Sequence, residues 1–221
     1  MSLDPRTAAS IIDACAAAIV VLGVGLAATR SIGRSIWLVA LQSILAGIAA
    51  IGVGLATGVG AVVIGGFLAI AVKGFFVPLV LGSILRNSSV RRERHPILGP
   101  RASLVAAVAI VFVAAAAVDG ARVGTSVAAS RALPAAIAQV LTGLLLVMTR
   151  RKALSLVVGL LVFENGIALT AFALTYGMPL VVELGILFDV LIAVIVAWVY
   201  ARRMLDVLGS TSTDHLRKLR G

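Results

Sequence analysis

Five ionisable side chains fall inside otherwise apolar runs of this 221-residue sequence: Asp13, Lys73, Glu164, Glu183 and Asp189. A charge facing lipid at the centre of a membrane helix costs about 3 kcal/mol on insertion scales, so such residues are expected to face protein, water or one another. Their chemistry is that of ion carriage. A buried carboxylate takes up a proton or a sodium ion, and an ammonium group within reach changes the acid's proton affinity when it moves. At about 1.5 Å of rise per residue, Lys73, Glu164 and Asp189 each lie about 9 to 13 residues from the outer end of their apolar run, roughly 13 to 20 Å deep. They share one layer near the midplane, where a lysine between two carboxylates on neighbouring helices would hold a proton and pass it on. Asp13 and Glu183 lie about one turn from the outer ends, within reach of water, and Asp13 reads as a helix-end residue. The simpler alternative for the whole set is one satisfied structural ion pair with no transport role.

The elements that must position these residues are membrane helices. Hydrophobic residues make up 61% of the chain, charged residues 13%, and the mean hydropathy is +1.15, more apolar than a soluble domain needs. Windows of about 20 residues predict spans at Ala8 to Thr29, Ser35 to Thr57, Gly60 to Leu85, Ala102 to Val118, Pro134 to Thr149, Ala153 to Tyr176 and Leu180 to Ala201. The fold class is therefore an all-α, polytopic transmembrane bundle of about seven helices. The first run is long enough to stay in the membrane, so Met1 to Thr7 is not expected to open a cleavable signal peptide. Seven spans put 15 of the 19 basic residues on one side, in Arg30 to Arg34, Arg86 to Arg101, the Arg150-Arg151-Lys152 triplet and the tail. Arg6, Arg122 and Arg131 fall on the other side. That asymmetry places the N-terminus outside and the C-terminus in the cytoplasm of a multi-pass inner-membrane protein. The formal charge of +10 is explained by topology and anionic lipid headgroups, and nucleic acid is not an expected partner.

Redox cofactors are not expected on this chain. Cys15 is the single cysteine, and the two histidines, His95 and His215, fall in polar segments outside the apolar runs. No P-loop, dinucleotide fingerprint, zinc site or nucleophile motif is present, so no catalytic residue and no metal ligand is assigned. Gly52, Gly54, Gly58 and Gly60 include the small-xxx-small spacing of close helix packing. Pro78 leaves the Gly74 carbonyl without its helical donor, which would kink or loosen the third span next to Lys73. Gln42, Gln139 and Asn165 either continue a hydrated polar path or bond across helices. A span, basic turn, span pattern recurs in 17–55 and 135–175, with Thr29-Arg30 and Thr149-Arg150 in matching places, as in a parallel duplication.

From Pro134 onward the residues carry a family resemblance. The run Arg150-Arg151-Lys152-Ala153-Leu154, followed by Gly159-Leu160 and Phe163-Glu164-Asn165-Gly166, resembles the second helix of the K subunit of respiratory complex I. The C subunit of multi-subunit sodium/proton antiporters belongs to the same group. Those three-helix units carry buried glutamates in their second and third helices. Here the usual second-helix position is Leu161, and the acid stands one turn on, at Glu164. Over its whole length the chain is similar to component E of hydrogenase-4-type membrane complexes. That likeness rests on Lys73 with Pro78-Leu79, on Glu164-Asn165-Gly166, on Glu183-Leu184-Gly185-Ile186 with Asp189, and on the ending Leu219-Arg220-Gly221. The fourth span and the loop after it carry no signature of the family.

The resemblance implies an N-terminal membrane portion over 1–133 with about four helices, a K-like three-helix unit over 134–203 and a cytoplasmic tail over 204–221. It implies a non-catalytic membrane subunit of an energy-converting hydrogenase or formate hydrogenlyase-like complex. Its partners would be antiporter-like membrane subunits and a peripheral redox module carrying nickel, iron and iron–sulfur clusters. Glu164, Glu183, Lys73 and Asp189 would serve proton or sodium translocation, with Glu183 in the place of the third-helix glutamate. The alternative is a cation/proton antiporter subunit or secondary transporter acting without a hydrogenase.

Overall fold

A computed structural model describes residues 5–86, 96–121 and 127–175, together with Trp198. Every element in that range is helical: Pro5–Ala28, Ile32–Thr57, Gly60–Arg86, Pro100–Ala121, Val127–Thr149 and Ala153–Thr175, here the first to sixth helices. All six contain a stretch long and apolar enough to cross a membrane. The expected seventh span, apart from Trp198, and the tail lie outside the described residues.

Several helices run further than hydropathy alone predicts. The first begins at Pro5 rather than Ala8, because proline suits the first helical turn, where its missing N–H would have no acceptor. The fourth likewise opens on Pro100. The fifth begins at Val127 and runs through Pro134, the residue expected to open it. Membrane helices carry an internal proline because their neighbours hold the backbone in place. The second helix ends at Gly58, whose φ of 72° lies in the left-handed region, and Val59 N–H then bonds back to Gly54 O at 3.0 Å.

The third helix is one rod with a wide turn at its centre. Between the α-helical pieces Gly60–Ala69 and Val77–Arg86, residues Ile70–Phe76 form a π-helix, and the Val77 N–H bonds to Val72 O, five residues back. Pro78 supplies the reason. It offers no N–H to Gly74 O and its ring crowds that carbonyl, so a widened turn just before it relieves the clash. The loosening expected from Pro78 thus takes the form of a π segment, with Lys73 at its middle.

Apolar residues face outward as well as inward, as a lipid solvent requires. Trp37, Phe67, Phe112 and Met148 are among the exposed side chains, whereas Gln42, Ser43, Gln139, Glu164 and Asn165 are buried. The two larger apolar clusters of the interior gather around Leu26, Ile36, Val77, Leu146 and Leu161 and around Ile19, Ala46, Leu133 and Leu169, and a small third one holds Ala50, Val53 and Val62. The buried polar residues lie between the two larger ones.

Glycines set the closest helix crossings. A Cβ on Gly47 or on Gly66 would sit 2.8 Å from the other's carbonyl oxygen, so the second and third helices meet backbone to backbone there. Along the fifth and sixth helices, a Cβ on Gly166 would lie 2.5 Å from Val140 N, and one on Gly143 would overlap the Phe163 backbone. Of the four glycines singled out by spacing, only Gly54 packs this tightly, at 2.8 Å from Val63 N. Gly58 ends a helix, Gly60 meets nothing within 4 Å and Gly52 makes an ordinary 3.7 Å contact, so close approach follows the crossing points rather than the spacing. Gly143→Ala is expected to separate the fifth and sixth helices and to lower the thermal unfolding midpoint of the detergent-solubilised chain by several degrees. Gly25→Ala, with nothing within 4 Å, should not lower it.

Three connections gather at one end of the bundle. Ile97 N–H bonds to Thr149 O at 2.9 Å, Gly99 lies beside the Arg30 guanidinium, and Arg150 reaches the end of the first helix. The described parts of the basic segments 30–34, 86–101 and 150–152 therefore share one end, the grouping on which the charge count relies.

Candidate functional site

Lys73 stands 13 residues from each end of the third helix, and Glu164 stands 11 residues from each end of the sixth. These depths, about 16 to 20 Å at helical rise, put both at mid-span. The two meet. Lys73 Nζ lies 2.5 Å from Glu164 Oε1, with the side chains 8% and 7% exposed. Removing both charges from water is costly, and only close pairing with further polar support offsets it. The π turn contributes to that pairing by carrying the lysine on a widened backbone. Next to it, Gly74 admits Ile44, so the second helix packs directly beside the lysine.

Polar support comes from the second helix. Asn165 Nδ2 donates to Ser43 Oγ at 3.1 Å, and Ser43 Oγ donates to Val39 O at 3.0 Å. Both side chains are fully buried. Asn165, next in sequence to the acid, thereby ties the sixth helix to the second, while Glu164 ties it to the third. Gln42 continues the layer toward the first helix, its Nε2 donating to Ile19 O at 2.8 Å. Gln139, on the fifth helix, reaches the same region, since a Cβ on Gly23 would lie 2.5 Å from Gln139 Oε1 and 3.4 Å from Gln42 Nε2. The polar side chains of four helices, with the Ile19 carbonyl of the first, thus form one layer across the bundle, and Gln42, Gln139 and Asn165 all belong to it.

Leu161 and Glu164, one turn apart, are both buried. Leu161 packs in the apolar cluster and Glu164 faces Lys73. Glu183 and Asp189 lie outside the described residues. Asp13 is eight residues into the first helix and half-buried, deeper than one turn, because the helix starts at Pro5.

Two residues gained roles that their surroundings in the chain do not signal. Ser43 is a lone serine in an apolar run, and nothing local marks it as the partner of a residue 122 positions away. Arg150 reads from sequence as part of a basic turn. In the fold it is buried, and its guanidinium donates to Leu26 O, Ala27 O and Thr29 O at 3.3, 3.1 and 3.0 Å. These carbonyls lie at and just past the end of the first helix, where intrahelical donors run out and the helix dipole also favours a cation; Leu26 O accepts the Thr29 N–H as well, at 3.3 Å. A basic residue at a helix end was the available signal, but it pointed to the fifth helix rather than the first.

Comparison with known proteins places this architecture. No family model matches the chain, and no solved structure matches it. An uncharacterized protein of Mycobacterium tuberculosis is 36% identical over 159 residues, covering 70% of this chain and 71% of that protein. The protein called hydrogenase-4 component E in Escherichia coli K12 is 30% identical over 149 residues, covering 67% of this chain and 69% of its own length. The protein of the same description in Shigella flexneri matches to the same extent. With that identity over more than two thirds of the relative, and with a multi-pass helical architecture, the chain belongs to the hydrogenase-4 component E family.

Proposed function

We propose that this protein is a non-catalytic integral membrane subunit of a hydrogenase-type complex, in which the Lys73–Glu164 pair takes part in moving protons or sodium ions. The observation that carries the reading is a close lysine–carboxylate pair at mid-span, enclosed by helices and backed by hydrogen-bonding side chains. Intramembrane ionisable residues of this kind mark ion paths by default. Family membership supplies the context, since the Escherichia coli relative is named as a hydrogenase component.

In this reading the redox chemistry belongs to partner subunits, and the chain contributes acids and a base. Glu183 and Asp189 join Lys73 and Glu164 in the path. Residues 134–203 act as a K-like unit against the membrane portion 1–133 in the inner membrane, and the tail 204–221 is cytoplasmic. The partners are antiporter-like membrane subunits and a peripheral hydrogenase or related redox module.

Isolation of the tagged chain from its native membrane in mild detergent tests the assignment. A large antiporter-like helical subunit and a nickel-bearing subunit should copurify, and the reconstituted assembly should acidify or load vesicles with cation when supplied with its electron donor. Ion exchange by the purified chain alone in liposomes, with no such partners recovered, would instead establish an independent transporter.

A further inference from the structure

Three side-chain amide atoms at the centre of the bundle have no hydrogen-bond partner among the described residues: Gln42 Oε1 and both Gln139 Oε1 and Gln139 Nε2. Gln42 and Gln139 are 0% and 1% exposed, so the bulk aqueous phase does not reach them. A buried polar group left unpaired costs about 1 to 3 kcal/mol, and three together at one place in a native interior call for a ligand. Gln42 cannot be relieved by exchanging its oxygen and nitrogen, because its Nε2 donates to Ile19 O at 2.8 Å and the exchange would set two acceptors against each other.

We infer that the two amides, closed over by Gly23, form an internal water-binding site between the first, second and fifth helices. The chemistry selects water. Two of the orphaned atoms accept hydrogen bonds and one donates, and a water molecule offers both functions. A metal cation would satisfy the two oxygens but would face the Gln139 amide hydrogens with like charge. The two side chains end beside each other, since a Cβ built on Gly23 would lie 2.5 Å from Gln139 Oε1 and 3.4 Å from Gln42 Nε2, so the orphaned atoms of both amides belong to one place. Gly23 is part of the site, for any larger residue would place its Cβ against the Gln139 oxygen. The site hydrates the end of the polar layer that lies toward the first helix, away from Lys73.

The test is direct observation in the intact membrane complex, imaged in lipid nanodiscs at a resolution that shows ordered water. Density within about 3.2 Å of both Gln139 Nε2 and Gln42 Oε1 is the expected result. In the complex carrying Gln139→Leu that density should disappear. Direct bonding of the two amides to each other, with no density between them, would overturn the inference, as would persistence of the same density in Gln139→Leu. If the variant complex does not assemble, the wild-type map decides alone. The outcome is independent of whether Glu164 carries ions.

Discussion

Glu164→Gln is expected to yield an assembled complex that no longer translocates ions. The amide keeps the size of the side chain and its capacity for hydrogen bonds to Lys73, but it has no proton to exchange and no charge to hold a cation. The result should be read as ion uptake per complex in reconstituted vesicles, with redox turnover and subunit content measured in the same preparation. Uptake should fall at least tenfold while subunit content stays near that of the wild type. Undiminished pumping would remove Glu164 from the path.

A second substitution separates a path from a scaffold. Lys73→Met alone leaves a buried carboxylate without the ammonium 2.5 Å away, a loss of about 3 to 5 kcal/mol for breaking a buried pair, so yield should fall sharply. Replacing both residues, Lys73→Met with Glu164→Leu, leaves no unpaired charge and should restore yield. If the pair served only to hold helices together, that double variant would also pump. Its expected phenotype is assembly without translocation.

Arg150→Ala is expected to be the most destabilising single change at the basic end of the bundle. It removes the guanidinium from the carbonyls of Leu26, Ala27 and Thr29, at and just past the end of the first helix, and leaves Leu26 O with only the 3.3 Å bond from Thr29 N–H. Hydrogen bonds from a charged donor are worth about 1.5 to 3 kcal/mol each, and leaving carbonyls unpaired adds to the loss, so the total should be on the order of 3 kcal/mol or more. Arg150→Lys keeps the charge but not the planar fork, and should fall between the two. Thermal unfolding of the purified full chain in detergent measures both. Equal midpoints for wild type and Arg150→Ala would show that the clamp carries little of the fold. The contact also links the ends of the two helices: the Arg150 N–H bonds to Leu146 O of the fifth while its guanidinium reaches the last carbonyls of the first.

Much of the architecture was legible from local composition. A run of about 20 apolar residues has one stable state in a bilayer, an α-helix, because every backbone N–H and C=O must be paired within the segment. Lys73, Glu164 and Asn165 stood out for the same reason, since a polar group in such a run has no solvent. Counting residues also placed Lys73 and Glu164 at one depth, because helical rise is constant. What counting cannot supply is rotation about each helix axis and the choice of neighbours. The Lys73–Glu164 contact depends on both, and so does the division of labour among glycines, in which Gly47, Gly66 and Gly143 lie at crossings while Gly60 does not.

The sequence by itself therefore determined that this is a multi-pass helical membrane protein with charges at mid-span, and it carried the likeness to the hydrogenase-4 component E family. Only the tertiary structure decided that Lys73 meets Glu164 across a π turn set by Pro78. It alone showed Ser43 holding Asn165, and Arg150 closing the end of a helix more than 120 residues away. The physical reason is the range of the interactions. Lipid solvation and backbone pairing act on each segment independently, whereas ion pairs and caps between segments exist only once the helices have packed.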